Sequence, residues 1–289
     1  MVAKKIEISG HTRLYAVIGD PIRHSLSPRI MNSAFAANCL DAVYVALPVQ
    51  EQDAALAMDM VRRCGLAGVN VTMPLKQAIV PFLDQLSPTA QQVGAANCVI
   101  NDQGVLTGHN TDCTGFRLSL SKHFPAAPNS AFLLGAGGAA RAIAAELVRW
   151  GCRELMICNR SQARAEELAG LFQEQAACRV EVVPWVPGQW PQLMNRTDLF
   201  INATSLGMGD NGSVAELIDW RAIERRPLIY ETVYNPLETD LLTRARKHRC
   251  PVVVGTELLL WQAAAGFEIW TDQVAPVAVM RESLLRGLR

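Results

Sequence analysis

Early in the chain, short apolar runs alternate with longer segments whose apolar positions recur at helical spacing. "LYAVIG" (14–19), "VYVALPV" (43–49) and "LAGVNVT" (66–72) read as strands. Each is a short apolar, β-branched run bounded by turn residues. Between them, "SPRIMNSAFAAN" (27–38) and "EQDAALAMDMVRRC" (51–64) read as helices. Ser27 takes the cap position and Pro28 the first helical position, where a fixed φ and a missing N–H suit a helix start. This alternation predicts a mostly parallel sheet covered by helices.

A second series begins after the loop "FPAAPNS" (124–130). "AFLL", "ELMIC", "VEVVPW", "DLFINAT", "PLIYETVY" and "PVVVG" read as strands. "GAGGAARAIAAELVRWG" is a glycine turn running into a helix, and "SQARAEELAGLFQEQ" and "ETDLLTRARKH" are further helices. From about Thr256 the pattern predicts two helices and no strand. A helical tail of that kind can return to the first domain. The expected division is 1–113 with 255–289 in one domain and 114–254 in the other, an α/β architecture with a cleft between them.

Composition narrows the partners. Half of the chain is apolar, and 27 basic side chains balance 27 acidic ones. A neutral chain gives no support for binding nucleic acid or a membrane surface, so an anionic ligand must be held by local groups. No run approaches the roughly 18 apolar residues of a spanning helix. The opening "MVAKKIEISG" lacks the apolar core of a signal peptide. The eight cysteines show no C-x-x-C spacing and do not cluster with the five histidines. Free thiols in a reducing, cytoplasmic compartment are expected, with no metal.

In "LLGAGGAARA", Gly135-x-Gly137-x-x-Ala140 follows a strand and opens a helix, the context a dinucleotide fingerprint requires. Gly135 permits the tight turn and Gly137 a close backbone approach to a pyrophosphate. Gly138, Ala139 and Ala140 keep helix and strand close, and the helix N-terminus offers free N–H groups to an anion. The next strand, "ELMIC", runs into Asn159-Arg160-Ser161, with Arg164 beyond. A site for NAD usually has a carboxylate there, on the ribose 2′-hydroxyl. Here two guanidiniums suited to a phosphate stand in its place, which favours NADP; the alternative is a pair of ordinary exposed arginines.

A nicotinamide cofactor implies hydride transfer, and oxidising an alcohol also releases a proton. Polar residues gather at strand ends and turns: Ser25 and Ser27, Asn70, Thr72 and Lys76, Asn97, then Asn110, Thr111 and Asp112. Ligands of parallel α/β sheets bind beyond the carboxyl ends of the strands. Lys76 with Asp112 suits general acid–base work on a hydroxyl. Singly, Ser27 and Asp112 also read as helix caps, and the direction of proton flow between lysine and aspartate stays open.

The ordered blocks "GDPIRHSLSP", "GVNVTMPLK", "GAANCV", "GHNTD", "GAGGAARA", "NRS", "INATSLGM", "VYNPLET" and "GTELLLWQAAAGFEIWT" resemble the shikimate dehydrogenase family nearly end to end. The resemblance implies a Rossmann-type NADP-binding domain (114–254) and an α/β substrate domain (1–113 and 255–289). It makes Lys76 and Asp112 the catalytic pair. Ser25 and Ser27, helped by Tyr234, would hold the carboxylate of a cyclic polyhydroxy acid, and Thr72, Asn97 and Gln262 its ring hydroxyls. Gly135, Ala136, Gly137, Gly138 and Ala139 would carry the pyrophosphate. Asn159, Arg160, Ser161 and Arg164 match the adenosine phosphate segment. Ala203, Thr204, Ser205, Val233, Gly255 and Leu258 would line the nicotinamide end. The implied reaction is reversible NADP-linked oxidation of shikimate to 3-dehydroshikimate, by a monomer or homodimer. The alternatives are a paralog acting on quinate or an aminoshikimate-type analogue, or a catalytically weak cofactor-binding regulator. Against the family pattern, Cys113 replaces a glycine and Glu231 an aspartate, and Glu257, Leu258 and Trp261 replace residues that are often Met, Gly or small. Cysteine lacks the backbone freedom of glycine beside Asp112.

Overall fold

The computed structural model describes residues 8–173 and 177–288. The end of the helix expected over "SQARAEELAGLFQEQ" falls partly outside them. The chain divides into one unit of Met1–Gly115 with Leu260–Arg289 and another of Phe116–Leu259.

In the first unit, the three expected strands become β1 (Arg13–Gly19), β2 (Ala42–Pro48) and β3 (Gly68–Val71), with β1 parallel to both others. Three more strands complete the sheet: β4 (Gln85–Leu86), β5 (Cys98–Asp102) and β6 (Val105–His109), in the order β2-β1-β3-β5-β6-β4. The expected mostly parallel sheet is therefore mixed, because β5 runs antiparallel to β3 and β6. The reversal is a hairpin. Gln103 (φ 49°) and Gly104 (φ 94°) both lie in the left-handed region, as a two-residue turn matched to strand twist requires. Asn101 Oδ1 accepts the Gly104 N–H at 2.9 Å to close the turn.

The helices here are α1 (Ser27–Ala37), α2 (Ala54–Arg63), α3 (Leu75–Ala78), α4 (Pro88–Val93) and the start of α5 (Thr111–Leu120). The expected cap on α1 shifts by one residue. Leu26 flanks the helix, Ser27 is its first residue, and no side chain caps it. Pro28 still falls in the first turn, so the proline signal locates the helix but not its cap.

In the second unit, β7 (Ser130–Leu134), β8 (Glu154–Cys158), β9 (Arg179–Val182), β10 (Leu199–Asn202), β11 (Leu228–Glu231) and β12 (Val252–Val253) form an all-parallel sheet in the order β12-β11-β10-β7-β8-β9. Six strands counted from β7 outward on both sides give the doubly wound Rossmann order, with its switch point between β7 and β10. Helices α6 (Gly138–Trp150), α7 (Gln162–Gly170), α8 (Trp190–Met194), α9 (Val214–Leu217) and α10 (Asp240–Lys247) connect them. Phe132, Trp190 and Phe200 anchor a core on one face.

The tail forms α11 (Gly255–Thr271) and α12 (Val277–Gly287). Trp270 of α11 donates its indole N–H to the Val99 carbonyl at 3.0 Å. Glycine is required opposite, since a side chain at Gly68 would collide with that indole. Among the described residues no helix is long and apolar enough to cross a membrane.

Candidate active site

In the first unit the polar cluster grows from strand ends. β3 ends at Val71, and Thr72 to Pro74 lead into the single turn of α3. Lys76 on that turn points its Nζ to Asp112 Oδ2 at 2.6 Å. Both side chains are largely shielded, 16% and 8% exposed, so their attraction is little screened by water. Asp112 lies in the first turn of α5. It sits inside the helix and not at its cap, and its Oδ2 goes to the lysine, against the alternative reading as a helix cap.

What holds that turn of α5 is Asn97. Its Oδ1 accepts the Thr111 N–H at 2.7 Å and the Thr111 hydroxyl at 3.2 Å. The Asn97 carbonyl accepts from Asn70 Nδ2 at 3.1 Å, and Asn70 Oδ1 accepts the Tyr44 hydroxyl at 2.7 Å. The Ala96 N–H donates to the Lys76 carbonyl at 2.9 Å, tying α3 to the same frame. Four buried polar side chains thus brace one another across β2, β3, the segment before β5, and α5. Burial pushes the Tyr44 phenol well up, reinforced by nearby Cys98 and opposed by the Ser27 hydroxyl. It stays a neutral hydrogen-bonding group.

Gln262 reaches this region through helix packing. A side chain at Gly115 would stand 2.6 Å from the Gln262 backbone nitrogen. Glycine therefore lets α11 lie against α5 one turn beyond Asp112. Ser27 is buried and Ser25 and Thr72 are half-buried, and Ser25 Oγ accepts the Ser27 N–H at 3.3 Å. Cys113 is fully buried inside α5. Its helical conformation is open to any residue, so the glycine-to-cysteine change does not strain the backbone beside Asp112.

At its glycine turn the second unit offers backbone. Gly135 (φ 115°) makes the turn after β7, and a Cβ there would lie 2.6 Å from the Ala203 carbonyl oxygen. Gly137 flanks the start of α6, and nothing lies within 4 Å of where its Cβ would be. That leaves room for a ligand to approach. Ala136, Gly138 and Ala139 are not fully enclosed, and Ala140 is fully buried against the sheet. Asn159 follows β8 and donates to the Ser161 carbonyl at 2.9 Å. Arg160, Ser161 and Arg164 are exposed, and neither arginine is ion-paired with a described residue. No carboxylate ends β8. A steric cradle at Gly135, free amides at α6 and two unpaired guanidiniums fit a dinucleotide carrying a 2′-phosphate.

Thr204, Val233 and Gly255 gather near the ends of β10, β11 and β12. Thr204 is held by Asn202 Oδ1, which accepts its hydroxyl at 2.7 Å. A side chain at Gly255 would collide with the Val233 carbonyl, so glycine permits the start of α11 to sit there. Leu258 is buried one turn later, and Tyr234 is half-buried, its phenol pushed up by burial.

Tyr44, within an alternating strand, is absent from the expected site residues, although its buried hydroxyl braces the cluster. So is the buried carboxyl group of Glu231. Among the described residues no group of three or more His, Cys, Asp or Glu could hold a metal.

Family models match three stretches of the chain: the shikimate dehydrogenase substrate binding domain at residues 17–99, shikimate / quinate 5-dehydrogenase at 119–207, and the shikimate 5′-dehydrogenase C-terminal domain at 255–285. The chain is 41% identical to the shikimate dehydrogenase (NADP(+)) of Moorella thermoacetica, over 98% of this chain and 96% of that one. The crystal structure of shikimate 5-dehydrogenase from Listeria monocytogenes in complex with shikimate and NAD superposes with a TM-score of 0.89 at 37% identity, covering 96% of this chain and 98% of that one. The Thermus thermophilus enzyme in complex with NADP(H) and shikimate gives 0.83 at 34% identity, covering 96% and 100%. The chain belongs to the shikimate dehydrogenase family.

Proposed function

We propose that this chain is an NADP-dependent shikimate dehydrogenase, interconverting shikimate and 3-dehydroshikimate. The observation that carries the reading is the shielded Lys76–Asp112 pair at 2.6 Å, in a chain whose relatives carry that activity by name.

The pair supplies the proton chemistry. As the carbinol carbon gives up its hydride, the hydroxyl proton must leave, and Lys76 with Asp112 forms the relay that takes it. In the reverse direction the same pair returns a proton to the ketone oxygen. Bound NADP+ supplies the hydride acceptor. Ser25, Ser27 and Tyr234 hold the carboxylate, and Thr72, Asn97 and Gln262 the ring hydroxyls. Asn97 has a second duty, since its Oδ1 already fixes the turn that carries Asp112. The glycine turn Gly135 to Ala139 takes the pyrophosphate on the α6 N-terminus. Asn159, Arg160, Ser161 and Arg164 take the adenosine phosphate. Thr204, Val233, Gly255 and Leu258 flank the nicotinamide. Residues 1–113 with 255–289 serve the substrate and 114–254 the cofactor. Eight free cysteines support a cytoplasmic setting, in which the protein works as a monomer or homodimer without nucleic acid.

The test is absorbance at the reduced-nicotinamide band, with shikimate, quinate and an aminoshikimate against NADP and NAD. Shikimate with NADP should give the highest kcat/KM. A preference for another acid by tenfold or more would move the substrate assignment to the paralogs. No turnover with any of them would leave a cofactor-binding regulator.

A further inference from the structure

A buried carboxyl group in the second unit has no part in the reaction just described. Glu231 ends β11, fully enclosed, beside Asn202 at the end of β10, its partner in register. Three donors converge on it. Asn202 Nδ2 and the Val233 N–H both donate to Oε1 at 2.9 Å, and the Thr239 hydroxyl donates to Oε2 at 3.1 Å. No lysine, arginine or histidine is among its hydrogen-bond partners in the described residues. An uncompensated buried carboxylate is costly, so an enclosed glutamate here calls for a reason.

The reason lies in what the donors carry. Asn202 uses its Oδ1 to accept both the N–H (3.1 Å) and the hydroxyl (2.7 Å) of Thr204, and its Nδ2 also donates to the Leu206 carbonyl at 3.0 Å. The Thr204 hydroxyl in turn accepts the Leu206 N–H at 3.1 Å. The segment 203–206 is therefore folded around Asn202, and Asn202 is oriented by Glu231. Val233 is drawn in through its own N–H. Thr239, the third donor, caps α10 by accepting the Leu242 N–H at 3.4 Å. One carboxyl group thus ties together the segment after β10, the turn after β11 and the start of α10.

These segments stand at a telling place in the sheet. The switch point lies between β7 and β10, and a dinucleotide crosses a doubly wound sheet there. One half lies over the strands on either side. The guanidiniums after β8 mark the β7–β9 side as the adenosine side. The ends of β10 and β11 are left for the nicotinamide half. Ala203, the first residue after β10, already borders the glycine turn through its carbonyl.

We infer that Glu231 is a positioning residue for the nicotinamide half of the dinucleotide, acting through Asn202 on Thr204 and through the Val233 amide. The inference rests on the proposed dinucleotide reading and adds a residue to it. The hydrogen bonds are asymmetric in a useful way. Oε1 receives two N–H donors that must be accepted, whereas Oε2 meets a hydroxyl, which can accept instead. A neutral carboxyl group satisfies all three. Burial pushes the Glu231 carboxyl up to about 7, against the pull of its Val233, Asn202 and Thr239 donors and of the nearby Thr232 amide. An amide of the same shape satisfies them too.

Calorimetric titration of the full chain with NADP+, and separately with 2′-phospho-ADP-ribose, which lacks the nicotinamide, isolates that half. The nearly isosteric E231M, which removes the acceptors, should bind NADP+ about tenfold more weakly, a loss of about 1.4 kcal/mol. Its affinity for 2′-phospho-ADP-ribose should be unchanged. E231Q should match the wild-type protein within about twofold on both. If E231M does not fold, Asn202→Leu cuts the link between Glu231 and Thr204 and should show the same selective loss. Equal losses on both ligands would make the network a scaffold only, and no loss on either would remove its role. Failure of wild-type protein to bind either ligand would instead sink the dinucleotide reading itself.

Discussion

The two units solve the problem of holding a polar ligand in opposite ways. The first uses side chains: Tyr44, Asn70, Asn97, Thr111, Asp112 and Lys76 are shielded and mostly hold one another. At its glycine turn the second uses backbone, a left-handed glycine and free amides at the start of α6, and adds exposed arginines without ion-pair partners among the described residues only at the rim. Proton transfer requires a particular chemical group at a particular atom, so the first unit must fix side chains. A pyrophosphate is recognised by charge and by N–H geometry, which a turn supplies regardless of side chain. Substitutions should therefore act sharply in the first unit. In the second they should act sterically at the turn and by degrees at the rim.

The largest effect belongs to Lys76. Lys76→Ala removes the amine that meets Asp112 and should lower kcat by roughly 10²–10⁴-fold, the usual range for a general acid–base group. Calorimetric affinity for NADP+ should hold, since the glycine turn and its arginines are untouched. Turnover within threefold of wild type would end the proposed proton relay. A parallel collapse of NADP+ affinity would erase the contrast between the two units.

Within the glycine turn the contrast becomes steric. Gly135→Ala places a methyl group 2.6 Å from the Ala203 oxygen at a positive φ. Left-handed strain alone costs roughly 1–2 kcal/mol, and the clash adds to it. Denaturant unfolding should show a lower midpoint. Gly137→Ala meets nothing within 4 Å, so its stability should stay within about 0.5 kcal/mol of wild type while NADP+ affinity falls. The two glycines are alike in the motif but do different work. Equal behaviour of the two variants would refute that division.

How much of the molecule is legible in the sequence follows the same line. The second unit's strands and glycine turn stand out because parallel strands buried on both faces read as unbroken apolar runs, as in "AFLL" and "ELMIC". The hairpin β5–β6 escapes the pattern because its strands, "CVIND" and "VLTGH", mix polar residues and glycine into their apolar runs, and its turn residues are Gln103 and Gly104. The "NDQG" run, with an asparagine able to close the turn, is the available signal. Lys76 and Asp112 can be paired through the ordered motifs, but their approach depends on Asn97, whose side chain fixes the start of α5. Tyr44 and Glu231 are hidden for a common reason. Each is a polar group at a position where the strand pattern asks only for burial, and its partners are far along the chain: Asn70 for Tyr44, Asn202 and Thr239 for Glu231. Composition and periodicity report which residues are inside, but not which buried polar atoms meet.

The smallest expected effect is at the exposed rim, and it is the most selective. Arg160 and Arg164 bracket the end of β8 and the start of α7, and neither forms an ion pair with a described residue. A hydrogen bond to a charged group is worth about 1.5–3 kcal/mol, less at an exposed site, and is weakened by salt. Arg160→Ala should therefore reduce kcat/KM for NADP by about tenfold, Arg164→Ala by somewhat less, and both losses should shrink at roughly 0.5 M salt, where screening is strong. With NAD, which has no 2′-phosphate, the same variants should change kcat/KM by less than twofold. That difference between cofactors separates phosphate recognition from general damage to the unit. Equal losses with NADP and NAD would assign the two arginines to the surface alone, and cofactor choice would then have to come from the turn.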